Sequence, residues 1–369
     1  MDKTSTFDPA AELTAAAQSR DGSHTGTQLA RQVRAGQALR VRRGVYVDPE
    51  QWIEAMPWHR YQIAVAATAL ATDPIFCRET ALLLHQVPLV RTPRGVLART
   101  TRMNGTGRVP APSLTGPLGA EEFRRLYRQQ HPTMSDFPAN RLRSVPTQLL
   151  YPPLSGGLSR PAALEGVRQG SLPLHEVRIE PAHRLRVRGP GAYRVEPLEL
   201  ALIDTVSRMP FAEAVVALDW IKANREVHLQ PWLRYLSSGT KRGRWERAWD
   251  FATPHSESPG ESRSRALMDE LGFVIPAQQS VIETDSGAFR VDFCWAEDRV
   301  IGEFDGRVKY FDEATLNGKD PKEVLYQEKQ REDALRRAGW IVIRWTWAML
   351  NAPAGFAAYL KKAGVSLLR

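Results

Sequence analysis

Only two cysteines occur in 369 residues, Cys77 and Cys294, far apart and without a C-x-x-C partner. That excludes a disulfide framework and a cysteine-rich zinc site, and each cysteine reads as a small buried hydrophobe. No apolar run reaches membrane length: the longest, YQIAVAATALA, falls well short of a span. The first residues, MDKTSTFDPA, hold no apolar core followed by a small-residue cleavage site, so a cytoplasmic protein without membrane contact is expected. His85, His131, His175 and His183 are scattered without metal-ligand spacing. Core material is not scarce: 43% of the residues are hydrophobic, enough for two or three domains.

The formal net charge of +9 is unevenly spread, since 34 of the 50 Lys and Arg but only 23 of the 41 Asp and Glu precede His255. A basic excess confined to the first part of the chain points to a polyanionic partner, most simply nucleic acid, with solubility as the plainer explanation.

The pattern of residues 1–57 predicts a helix in PAAELTAAAQ, a turn in RDGSHTG, a helix in TQLARQVRAG stopped near Gly36 and a hairpin in LRVRRGVYV. That is the order of a winged helix-turn-helix. A second helix entering a major groove would bring Gln28, Arg31, Gln32 and Arg34 near bases or phosphates, with Arg42 and Arg43 on the wing. A small solvated basic domain is the competing expectation. Residues 58–250 read as a helix-rich α+β region: an Ala-rich stretch ending in RETALLLHQVPL, Pro- and Gly-rich loops between short strands, and two helices in VEPLELALIDTVSRMPFAEAVVALDWIKAN. Asp204 and Asp219 on those helices are expected to cap or to face solvent. The polar, basic RYLSSGTKRGRWERAWDFATPHSESPGE reads as a domain boundary.

Residues 255–369 are more regular. SPGESRSRALMDELG predicts a helix with Ser258 as N-cap and Gly272 as its stop; FVIPAQQSVIET, FRVDFCW and RVIGEFD predict a three-strand meander. PKEVLYQEKQREDALRRAG then predicts a polar-faced helix, WIVIRWT a last strand and APAGFAAYLKKAG a closing helix. This is the αβββαβ arrangement of restriction-endonuclease-like nucleases, and the whole chain reads as a multi-domain α/β protein.

Alternation places Asp292 opposite in parity to Val291 and Phe293, and sets Glu303 and Asp305 together, opposite Phe304. Adjacent strands then bring Asp292 beside Glu303, where two carboxylates repel unless a cation or a shared proton relieves them. Hard oxygen ligands without His or Cys favour Mg2+ or Mn2+, and such an ion can polarise a phosphodiester and bind the attacking water. Glu261 could complete the site as an outer ligand or as a base that positions water. Lys309 is the nearest candidate for stabilising transition-state charge, and Gln327, Lys329 and Arg331 could reach the same phosphate from the following helix. A merely solvated helix face is as good a reading of those three.

ESPGESRSRALMDELGFVIPAQQ, VDFCW, GEFDG and QREDALRRAGWIVIRWT together resemble a widespread bacterial family of unknown function related to the very-short-patch-repair mismatch endonucleases, within the PD-(D/E)XK phosphodiesterase superfamily. The resemblance covers about the last third of the chain. LARQVRAGQALRVRRGVYV followed by RETALLLHQVPL resembles the AbiEi-type antitoxin regulators, which begin with a winged helix. The first resemblance implies that the motif aspartate falls on Asp292, its following acid on Glu303 and the early helix acid on Glu261. Asp305 stands where E-x-K has lysine. In the relatives the E-x-D-G form is usual and a basic residue follows, here Lys309; otherwise the site has decayed and the domain only binds nucleic acid.

Three functions are thus open: a Mg2+- or Mn2+-dependent DNA endonuclease with a double-stranded-DNA-binding regulator module; a non-catalytic antitoxin-like transcriptional regulator with a vestigial nuclease fold and a toxin or other protein partner; and a protein-binding scaffold.

Overall fold

The computed structural model describes residues 13–16, 25–100, 103–112, 120–130, 145–150, 175–178, 192–233, 236, 238–306 and 321–368. The chain is a mixed α/β protein that divides into two compact units, Met1–Thr205 with His228–Gly239, and Val206–Val227 with Thr240–Arg369.

The first unit opens with strand β1 (Leu13–Ala15), the helix Gly26–Arg34 and the hairpin β2 (Leu39–Arg42) and β3 (Val45–Val47). The helix expected in PAAELTAAAQ is not what the described part of that segment forms. Leu13–Ala15 pair antiparallel with Val45–Val47, so β1 completes a sheet of order β1-β3-β2, and Leu13 is buried in its core. The gain is physical: an edge pairing satisfies backbone groups that a short Ala-rich helix would leave to solvent. The rest of PAAELTAAAQ and most of RDGSHTG lie outside the described residues.

Leu39, Val41, Val45 and Val47 pack with Trp52 and Ile53 of the helix Pro49–Glu54 and with Ile63, Ala66 and Ala67 of the helix Pro57–Thr72. After the helix Arg78–Leu84 come β4 (Val96–Arg99), β5 (Gly107–Val109) and β6 (Thr147–Leu150), in which β6 runs parallel to β4 and antiparallel to β5. β7 (His175–Arg178) and β8 (Ala192–Val195) form an antiparallel pair. Asp204 is neither a cap nor solvent-facing. It is 2% exposed and accepts from Arg78 Nε at 2.8 Å and Arg99 Nη2 at 3.1 Å, while Arg99 also grips Glu196.

The second unit takes in the helices Phe211–Asn224, Gly239–Phe251 and Pro259–Glu270 before a four-stranded sheet of order β12-β11-β10-β9. β9 (Ala277–Thr284), β10 (Gly287–Trp295) and β11 (Val300–Phe304) make an antiparallel meander. The helix Pro321–Arg337 then returns the chain so that β12 (Ile341–Trp345) lies parallel to β11. The element order is the αβββαβ expected from the sequence.

Side-chain alternation splits the sheet's contacts into two cores. Phe293, Trp295, Phe304 and Trp345 meet Met268 of the Pro259–Glu270 helix and Phe356 and Leu360 of the closing helix Pro353–Lys362. Cys294, Ile301 and Val342 meet Leu335 of the Pro321–Arg337 helix. Asp219 is also buried rather than solvent-facing, paired with Arg265 at 3.0 Å. Both cysteines are buried and free, and among the described residues no helix is long and apolar enough to cross a membrane.

Candidate functional site

Three acids of the second unit sit where backbone geometry breaks its regularity. Ser258 caps the Pro259–Glu270 helix by accepting from Glu261 N, and its hydroxyl donates to Glu261 Oε1 at 2.7 Å. The pair resembles a capping box, except that the glutamate reaches the Ser258 hydroxyl rather than the Ser258 amide. Glu261 Oε2 accepts from Glu257 N at 3.0 Å and from Gln279 Nε2 at 3.0 Å. Burial pushes the Glu261 carboxyl above its usual range; its hydrogen bonds from Ser258 and Glu257 oppose that shift, and the nearby charges of Asp292 and Glu257 add to it.

Asp292 lies where β10 and β11 part. Their pairing ends at Phe293↔Gly302, one step short of Asp292 and Glu303. The Phe304 amide, which would otherwise continue the ladder, donates to Asp292 Oδ2 at 2.9 Å. On the other side of β10 the neighbouring pairs are Val291↔Ser280 and Phe293↔Gln278, with Gln279 between them at φ 51°, a left-handed conformation uncommon for a residue with a side chain. Strain of this kind persists only where the surroundings over-determine it, and here the Gln279 amide is fixed on Glu261.

Glu303 is held from two directions. Arg331 Nη2 donates to Oε1 at 2.5 Å, and Arg344 Nη2 lies 3.1 Å from Oε2. Arg344 is placed by the sheet, being the register partner of Glu303 across β11 and β12. Arg331 comes from the Pro321–Arg337 helix and also donates to Arg290 O at 2.8 Å and Glu328 Oε1 at 2.9 Å. Arg344 contacts Glu328 as well, and Glu332 Oε2 at 3.3 Å. Burial works against both guanidinium charges, but the surrounding glutamates outweigh it and hold both above the ordinary arginine value. Arg290 makes a two-pronged pair with Glu257 at 2.6 and 2.9 Å.

Of the residues expected at this site, Glu261 lies near Asp292, and Glu303 pairs with Arg331. Asp305 follows β11, half-buried, with its amide donating to Trp345 O at 2.8 Å. Gln327 and Lys329 are exposed, and Gln327 Nε2 lies 3.5 Å from Glu323 Oε1 on its own helix. Lys309 lies outside the described residues. Arg344, Gln279 and Glu328 were not singled out from the sequence. Arg344 had a signal there: in WIVIRWT it alternates with buried Ile343 and Trp345, so its charge had to meet an acid beside that strand.

Among the described residues no group of three or more His, Cys, Asp or Glu is arranged to hold a metal ion. Two carboxylates on adjacent strands are nevertheless a fitting donor set for a hard cation, because Mg2+ is commonly held by one or two carboxylates with water and substrate phosphate supplying the rest. Asp292 and Glu303 fit that description. Glu261, with three donors on its oxygens, is an outer residue.

In the first unit Gln28, Arg31 and Arg34 are exposed, spaced along one side of the Gly26–Arg34 helix and away from buried Leu29, while Gln32 is half-buried. Arg43 is exposed in the hairpin turn. Arg42 turns inward: Nε donates to Thr68 Oγ1 at 2.8 Å, Nη1 to Val41 O at 2.8 Å and Nη2 to Val145 O at 2.7 Å. Burial lowers its pKa to about 10, and its donors are spent inside the fold. Comparison with family models, with curated proteins and with solved structures gives no match to this chain.

Proposed function

We propose that the chain is a metal-dependent DNA phosphodiesterase whose basic first unit docks on double-stranded DNA as a winged helix-turn-helix would. The observation that supports this reading is the Asp292 carboxylate accepting from the Phe304 amide, next in sequence to Glu303, where the pairing of β10 and β11 ends, within an αβββαβ element order. Asp292 and Glu303 would hold Mg2+ or Mn2+, and the ion would supply charge for polarising the phosphodiester and acidifying water. Glu261 fixes the helix start beside Asp292, and burial holds its carboxyl above the usual range, which suits a base that positions water. Arg331 and Arg344 offer positive charge next to the acids, the task that E-x-K assigns to lysine and that Asp305 cannot perform. Exposed Gln28, Arg31, Arg34 and Arg43 would contact phosphates or base edges.

One observation favours a second reading. Both oxygens of Glu303 are already satisfied by guanidinium groups, as they would be in a vestigial site retained for stability in an AbiEi-antitoxin-like DNA-binding regulator with a toxin partner. Plasmid conversion separates the two. The native chain with Mg2+ or Mn2+ is expected to nick or linearise duplex DNA, and Asp292→Asn to lose that activity. Equal conversion by both proteins, or none by either on duplex, single-stranded or mismatched substrates, favours the regulator.

A further inference from the structure

Glu303, Glu328 and Glu332 share two guanidinium groups, those of Arg331 and Arg344. The arrangement is directional. Each arginine engages a different oxygen of Glu303, one arriving from a helix and the other from the neighbouring strand, so the carboxylate is clamped in one orientation. Both arginines are only partly exposed, at 21% and 30%, so the interaction is weakly screened by solvent. A divalent cation reaching Glu303 meets two positive charges already in contact with its ligand.

We propose that Arg331 and Arg344 form a guanidinium clamp that competes with the divalent cation for Glu303, Arg331 acting as a positioning residue that sets how readily the site loads. This rests on the phosphodiesterase reading. The clamp makes metal affinity low in the absence of substrate, because charge repulsion at this range outweighs the benefit of a pre-oriented ligand. A phosphodiester is the ligand class that relieves the repulsion. Guanidinium groups bind phosphate oxygens bidentately, and charge drawn from the arginines onto phosphate leaves Glu303 to the cation. Metal and DNA therefore load together, each raising the affinity for the other.

The test is a Mn2+ titration of the full chain without DNA, following free Mn2+ by electron paramagnetic resonance. The proteins compared are the native chain, Arg331→Met, Arg331→Lys and Glu303→Gln. Arg331→Met is expected to bind Mn2+ about tenfold more tightly than the native chain, since a like charge has been removed from the site. Arg331→Lys, which keeps the charge, should stay near the native affinity, and Glu303→Gln should abolish binding. A purely structural Arg331 gives the opposite sign, with weaker binding and a lower melting temperature. Binding by the native chain with unchanged or weaker affinity in Arg331→Met overturns the clamp alone. Absence of binding in native and Arg331→Met proteins alike overturns the phosphodiesterase reading and the clamp with it. Should Arg331→Met fail to fold, Arg344→Met carries the same expectation.

Discussion

Arg42 and its exposed neighbours carry the same charge in different surroundings. The Arg42 guanidinium has traded water for Thr68 Oγ1 and the carbonyls of Val41 and Val145, so truncating it strands buried acceptors. Arg42→Met is expected to cost about 2–3 kcal/mol in a urea unfolding transition. Arg31→Ala and Arg34→Ala, on an exposed helix side, should stay within about 0.5 kcal/mol of native. Glu261 is informative through pH. Burial raises its folded-state pKa above the usual glutamate range, so its contribution to stability is fully present below that range and is lost as pH rises through the folded pKa. Native stability relative to Glu261→Gln should therefore fall from about pH 4 towards neutrality, measured by denaturation across that range. A flat difference would mean that burial does not govern this carboxyl.

At the scale of elements, one glycine makes room for aromatic side chains within the sheet and another lets the Pro259–Glu270 helix approach it. A Cβ on Gly302 would lie 2.4 Å from Trp345 Cη2 and 3.0 Å from Trp295 Cζ3, and one on Gly260 would lie 2.0 Å from Phe304 Cε1. Gly302→Ala must push β11 from its aromatic neighbours, at a cost of about 3 kcal/mol, and shift Glu303 relative to Arg344. Thermal unfolding with the Mn2+ titration of the same variant would show both effects. Sequence pattern was sufficient for the meander and its crossover strand, because a buried sheet imprints alternation on VDFCW and VIGEF. It was insufficient for β1, where Leu13–Ala15 follow a long-range pairing rather than local Ala propensity. The acids followed the same division. Parity puts Asp292 and Glu303 on neighbouring strands but says nothing of what neutralises them, and Arg344 enters through a parallel register that skips the whole Pro321–Arg337 helix. Likewise, Asp204 and Asp219 looked like surface acids because their partners Arg99 and Arg265 lie 105 and 46 residues away.

Across the whole molecule, charge and structure divide differently. The segment TKRGRWERAWDF reads as a polar boundary, yet it forms a helix that buries Trp245 and Ala248, and the second compact unit resumes at Thr240. Lys241, Arg242, Arg244 and Arg247 therefore belong to the unit that holds the acids. If the exposed arginines of the first unit track phosphates, the logarithm of DNA affinity should fall steeply with the logarithm of salt concentration. Arg31→Ala and Arg34→Ala should each reduce that slope by about 1. A flat salt response would point to a protein partner instead.

The question raised by carboxylates inside strands comes down to what occupies the gap between β10 and β11. Crystals of the native chain grown with a short DNA duplex and Mn2+, read by anomalous scattering, answer it directly. The expected result is a Mn2+ peak bonded to Asp292 and Glu303, with Arg331 moved towards phosphate. An absent peak, with Arg331 and Arg344 still closed on Glu303 beside bound duplex, would contradict the phosphodiesterase and leave a DNA-binding protein with a locked site.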